Sequence, residues 1–262
     1  QAGLISIQLD YNQFGHLQND GPRCAATATV NSFQYLKNRF GTQVGNLIPG
    51  AGTDLKSARD KLADGWTNSS GVVRTGMGSC GATAKSWWEG KAYWVKDYGT
   101  SHVKLDGQVK IDGGANPFAG WFQGGVLEDK FPEWTFLWDE LMHGEDIEIG
   151  FRWTGGGHAV TLTSLKFEDD NNNKSWDTGE KRYLDYLDPN APGALIVAEL
   201  NLLTSGALGF RWDNKGNPAQ DVFIDLAYTE SVPEPQTLLI FAFALAFLGL
   251  RARQSPSPTK CG

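Results

Sequence analysis

The spacing of apolar residues changes character along the chain. From Ala25 to Lys37 (AATATVNSFQYLK) small residues come first. Val30, Phe33 and Leu36 then recur at helical spacing, which predicts a helix burying those three side chains. The preceding Asp20-Gly-Pro-Arg23 is a turn, so Cys24 stands at the helix start. Thr53 to Ala63 reads as a second helix. Residues 71 to 125 are rich in Gly, Trp and Tyr and read as strands and loops, with alternation from His102 to Ile111. Glu133 to Met142 (EWTFLWDELM) predicts a helix closed by His143-Gly144. Strand alternation follows in Asp146 to Trp153, His158 to Phe167 and Arg182 to Leu187, then near Ala194 to Leu202 and Val222 to Tyr228. Helices first and an antiparallel sheet later make an α+β layout. One domain is expected over residues 1 to 228, with 229 to 235 as a linker.

The last apolar run has no polar face. Thr237 to Leu250 reads TLLIFAFALAFLGL and stops at Arg251 and Arg253. A run this short is marginal for a bilayer, which asks for ~20 residues, and needs local thinning. The arginines belong on the cytoplasmic side, leaving everything before them outside. A hydrophobic helix over 236 to 253, seated in the inner membrane, is therefore expected; the competing reading is a buried core helix. Just upstream stands Val232-Pro-Glu-Pro235. Pro-Glu-Pro, an apolar run and a basic cluster together resemble the PEP-CTERM sorting signal of Gram-negative bacteria. That resemblance implies recognition and processing by an exosortase, a cell-envelope or extracellular destination, and a temporary membrane anchor. Residues 254 to 262 run past the point where such tails stop and have no assigned role. Cys261 within them is taken as non-functional.

Composition narrows the possibilities. At 262 residues, 40% of them hydrophobic, the chain holds enough apolar material for an ordinary core. Ten Trp and fourteen Phe supply that core or a groove wall. A net charge of −7 argues against nucleic acid as a partner. Three cysteines are too few for a disulfide framework. Cys24 and Cys80 either pair with each other, or one is a reactive thiol that needs a base.

The reactive reading has support from placement. A helix N-terminus and a neighbouring imidazolium both favour a thiolate. Among His16, His102, His143 and His158, the last stands out. It follows Gly155 to Gly157 and opens a strand, where glycines permit close approach. Asp188, in Leu-Asp-Pro-Asn at the end of the next strand, is the natural group to orient its ring; Asn190 and Asp185 are weaker choices. Gln18, six positions before Cys24, offers a side-chain amide to an oxyanion. Gln18, Cys24, Gly157-His158 and Asp188-Pro189, in this order, resemble the papain-fold cysteine peptidases, and more closely the bacteriocin-leader-processing branch. The resemblance covers roughly residues 10 to 200. It implies a papain-like fold with Cys24 as nucleophile, His158 as general base, Asp188 as orienter, and Gln18 with the Cys24 N–H as oxyanion hole. Two departures stand out: Ala25 replaces the usual Gly after the nucleophile, and residues 75 to 130 have no counterpart.

A further pattern lies between the two site strands. Asp169, Asn171, Asn173, Ser175, Asp177 and Glu180 occupy alternating positions suited to wrapping one hard cation in oxygen, Ser175 through its carbonyl. The loop resembles an EF-hand loop, with Lys174 where Gly is usual. A structural Ca2+ is expected there. Together these features predict an exported cysteine peptidase acting on peptide or protein. The alternative is an inactive surface or matrix protein of the same fold that binds peptide or glycan, with Trp87, Trp88 and Trp94 as candidate contacts.

Overall fold

The computed structural model describes residues 3–49, 54–110, 125–191, 193–213 and 219–233. Strand β1 (Gly3–Gln8) comes first, then helices α1 (Cys24–Phe40) and α2 (Leu55–Asp64). A two-stranded ribbon, β2 (Trp66–Thr67) and β3 (Val73–Arg74), precedes helix α3 (Ala84–Tyr98). Strands β4 (Lys104–Val109) and β5 (Leu127–Asp129) lead to helix α4 (Trp134–Met142). Six strands complete the unit: β6 (Asp146–Trp153), β7 (Gly156–Asp169), β8 (Arg182–Leu187), β9 (Leu195–Leu202), β10 (Leu208–Trp212) and β11 (Gln220–Ser231). Gln1–Val232 forms one compact unit.

Those last six strands close into a barrel. Each pairs antiparallel with the next, from β6 to β11, and β11 returns to β6. β1 adds to β7, β4 adds to β11, and β5 lies parallel to β4. The 14 residues of β7 let it pair with β6 through its first half and with β1 through its second. Register shifts at Leu162/Ser164 and Ile224/Leu226 bend the wall, as bulges do where a sheet must curve to close. Gly155, at φ +91°, turns β6 into β7 in a conformation that a side chain resists.

This architecture corrects the α+β, papain-like expectation. The chain is mostly antiparallel β, and its helices are interleaved with strands rather than gathered before them. The alternating runs do become strands, but β1, β10 and the closing β6–β11 ladder are not marked by local periodicity. Residues 71 to 125 hold a 15-residue helix, α3, where strands and loops were expected. Thr83 caps it in a reciprocal box with Ser86. Trp87, Trp88, Lys91, Trp94 and Val95 line its inner face at helical spacing and are all buried. Trp88 and Trp94 are therefore core residues rather than binding contacts. Cys24 and Cys80 are both free thiols. No helix among the described residues is long and apolar enough to cross a membrane. The helix expected over 236 to 253 lies outside the described residues.

Helix α1 carries the start of the site. Val30, Phe33 and Leu36 have no exposed surface. The helix lies against β6 and β7, and Thr161 of β7 donates to the Ala28 carbonyl at 3.1 Å. At its head, Arg23 pairs with Asp60 (3.1 Å) and Asp64 (3.0 Å) of α2. Buried Arg59 of α2 reaches Asp20 (2.9 Å) and the Gln18 carbonyl (3.3 Å). The turn before Cys24 is thus clamped to α2 by two guanidinium groups.

Candidate functional site

Cys24, His158 and Asp188 meet beside an open cleft of about 820 Å3. Cys24 begins α1, where unsatisfied backbone N–H groups favour negative charge. His158 is the third residue of β7, paired with Phe151 of β6, and Asp188 directly follows β8. Asp188 Oδ1 lies 2.7 Å from His158 Nε2. With Nε2 so engaged, the hydrogen bond between ring and thiol falls to Nδ1. Asp188 has two further donors. The Asn190 N–H reaches Oδ1 at 2.8 Å and the Trp212 indole N–H reaches Oδ2 at 3.1 Å.

The electrostatics follow from these contacts. Burial pulls the His158 imidazole down, but Asp188 and the Cys24 sulfur outweigh it and push it up to about 9. Burial pushes the Cys24 thiol up, but His158 and the N–H groups of Ala159 and Ala25 hold it below its ordinary value. Burial also raises Asp188, and the His158, Asn190 and Trp212 contacts bring it below the usual carboxylate range. All three shifts favour the ion pair, a thiolate facing an imidazolium with the Asp188 carboxylate behind the ring. That arrangement can deliver a nucleophile and then a proton to the same substrate.

Trp212 has no counterpart in the sequence reading. It is buried and stacks on the His158 ring, with centroids 5.1 Å apart and planes inclined 28°. Phe151 meets the same ring edge-on at 5.6 Å. The two aromatics cover the His158–Asp188 bond and keep the ring from turning. A Trp at the end of a short β strand carries no local signal that marks it for this place.

Gln18 is not part of the cleft wall. Its side chain is exposed, while the adjacent Asn19 lines the cleft. Asn19 Nδ2 donates to Asn190 Oδ1 at 3.1 Å, and the Asn19 N–H to the Pro189 carbonyl at 2.9 Å. Asp185 is buried against Lys166 at 2.5 Å rather than near His158. His16, His102 and His143 are exposed. Trp87 walls the cleft and donates to Thr29 Oγ1 at 2.9 Å.

The β7–β8 connection is held by hydrogen bonds that its six candidate ligands make to one another and to its backbone. Asp169 accepts the N–H groups of Asn173 and Lys174, each at 3.0 Å. Asp177 Oδ2 accepts the side-chain amides of Asn171 (2.7 Å) and Asn173 (2.6 Å). Glu180 accepts the N–H groups of Asp170 and Asp177, both at 2.8 Å. The Ser175 N–H reaches Asn173 Oδ1 at 2.7 Å. Lys174 adopts φ +62°, the left-handed conformation for which Gly is usual.

Beyond Val232 the chain enters Pro-Glu-Pro and the apolar run. Residues 231–254 match the PEP-CTERM protein-sorting motif. The PEP-CTERM motif marks the chain for export and for sorting to the cell envelope, with recognition by an exosortase-type enzyme. No curated protein matches the chain. The PEP-CTERM match does not reach residues 10 to 200, and their resemblance to bacteriocin-leader-processing peptidases gains no support from it.

Proposed function

We propose that the folded unit is a thiol hydrolase of the cell envelope that cleaves peptide bonds. The observation that carries this reading is the hydrogen-bonded line from the Cys24 thiol through His158 to Asp188 beside an open cleft of about 820 Å3. The Cys24 thiolate attacks the substrate carbonyl carbon. The oxyanion is met by N–H groups at the head of α1 and by Asn19, whose Nδ2 spends one hydrogen on Asn190 and keeps the other. His158 Nδ1 gives its proton to the leaving nitrogen, and the C–N bond breaks to leave a thioester on Cys24. Water then loses a proton to His158 and attacks the thioester. The acid is released, and the thiolate–imidazolium pair returns. Asp188 holds the ring throughout and stays ionised. Profiling on a peptide library tests this. Cys24→Ala is expected to abolish hydrolysis, and iodoacetamide to label Cys24 faster than Cys80. Equal labelling, with activity surviving the substitution, would rule the reading out; peptide binding without turnover would make it a binding protein instead.

The β7–β8 loop is proposed to hold a structural Ca2+ through Asp169, Asn171, Asn173, Asp177 and Glu180, with the Ser175 carbonyl. The oxygen-only donor set and the left-handed Lys174 support this. Bound calcium would keep His158 at one end of β7 in register with Asp188 at the end of β8. In an Asp146→Asn background, calcium should raise the melting temperature and Glu180→Gln should abolish that rise; no rise, or one that survives Glu180→Gln, would refute it.

A further inference from the structure

A second concentration of charge lies wholly inside the fold, between α1, α3 and the β6–β11 pair. Lys91 of α3, Asp146 and Glu148 of β6, and Glu230 of β11 have no exposed surface. The register sets Asp146 opposite Glu230. Lys91 Nζ pairs with Oε2 of both glutamates, Glu230 at 2.7 Å and Glu148 closer still. Four other oxygens of the three carboxylates have no hydrogen-bond partner among the described residues. They are Asp146 Oδ1 and Oδ2, Glu148 Oε1 and Glu230 Oε1. Donor oxygens from the three carboxylates lie within 4.8 Å of one another. A neutral group adds to them: Ser32 of α1 is fully buried, its hydroxyl is also unpartnered, and it borders Asp146 and Glu148.

Ionised together, the three carboxylates would leave two negative charges beyond Lys91 in a region closed to water, and burial pushes all three carboxyls up. Buried charge of that kind is strongly unfavourable unless something neutralises it. We propose that Asp146, Glu148, Glu230 and Ser32 bind one hard divalent cation of the calcium or manganese class, at a site separate from the thiol. Two positive charges balance the cluster. An all-oxygen donor set selects hard cations over zinc or copper. Lys91 stays on Oε2 of the two glutamates and leaves the other oxygens to the ion. Ser32 follows Cys24 by eight residues, about 12 Å along the helix axis. The ion therefore pins the body of α1 to β6 and β11 while its head presents the thiol.

Elemental analysis and melting of the intact chain, prepared without metal-affinity steps, test this. About one divalent ion per chain is expected to survive dialysis against EDTA, because the cluster is closed to solvent. Protein refolded from urea in EDTA should melt lower, and calcium or manganese supplied during refolding should restore it. Asp146→Asn should lose the retained ion, whereas Glu180→Gln in the exposed β7–β8 loop should keep it. If Asp146→Asn fails to fold, Ser32→Ala leaves every carboxylate in place and should bind the ion at least several-fold more weakly. Protein without any retained ion, melting identically after refolding in EDTA, would overturn the proposal and assign the neutralising charge to protons. Loss of the retained ion in Glu180→Gln but not in Asp146→Asn would also overturn it.

Discussion

Asp188→Asn probes the site without requiring a known substrate. The substitution keeps the size of the side chain but removes its charge, and it leaves an amide facing His158 Nε2 at the present 2.7 Å. Raising an imidazole from its ordinary value to about 9 corresponds to roughly 3 kcal/mol in favour of the charged ring. Burial opposes that charge, and Asp188 is the foremost group overcoming it. Without Asp188 the burial remains, so the ring should be neutral at pH 7.5 and the thiol should rise with it. A loss of roughly 3 kcal/mol lowers the ratio of charged to neutral His158 about 100-fold, and the Cys24 thiol, which that charge holds down, rises with it. The assay is the rate of Cys24 alkylation by iodoacetamide across pH 5 to 10, in a Cys80→Ser background, with circular dichroism to verify folding. The native protein should react well below the pH at which a free thiol does; Asp188→Asn should react only near the ordinary thiol range. Stability carries the same signature. A His158 raised from its unfolded value stabilises the fold fully below about pH 6.5. That contribution is lost as pH rises through about 9. The midpoint of urea unfolding should therefore fall across this window in the native protein and fall less in the variant. Identical alkylation profiles for the two proteins would refute the reasoning.

Two other substitutions test the supports of the site. Trp212→Phe keeps a ring over His158 but loses the donor to Asp188, and should cost about 1 to 2 kcal/mol in urea unfolding; Trp212→Ala also empties a buried volume and should cost about 3 to 5 kcal/mol. Either should shift the Cys24 alkylation profile toward that of a free thiol, and an unshifted profile in both would show that Trp212 only fills space. Arg59→Met removes a buried guanidinium from partners that are themselves partly exposed, so a loss of about 1 to 3 kcal/mol is expected rather than the larger cost of a fully buried pair. Faster proteolysis between residues 18 and 23 should accompany it, and unchanged cleavage would disprove the clamp.

Local pattern made some of this legible. Val30, Phe33 and Leu36 mark the buried stripe of α1, and alternation marks most of the barrel strands. The order Cys24, His158, Asp188 follows from a turn before a helix, a glycine run before a strand, and an Asp-Pro after the next one. The ring itself was not legible, because it depends on β6 meeting β11 more than 70 residues later, and no short window records that pairing. Helix α3 was hidden by its Gly and Trp content, although Thr83 and Ser86 form its capping box. Asp146 and Glu148 alternate with Ile147 and Ile149 as a solvent-facing row would. They are buried because α1 and α3 lie over that face. The spacing from Cys24 points to Gln18, but the clamped turn presents Asn19 to the cleft.

The position of β11 has a consequence for maturation. It is the last strand of the barrel to be synthesised, and until it arrives the edges of β6 and β10 lie open to pairing with other chains. It is also the strand into which the sorting motif runs: β11 ends at Ser231, Val232 is packed in the core, and the motif begins at residue 231. Fold and address thus overlap by two residues, with no spacer to absorb an error in trimming. A cut on the C-terminal side of Val232 would leave β11 whole. A cut a few residues earlier would remove the end of the closing strand and with it the pairing of Glu230 to Asp146.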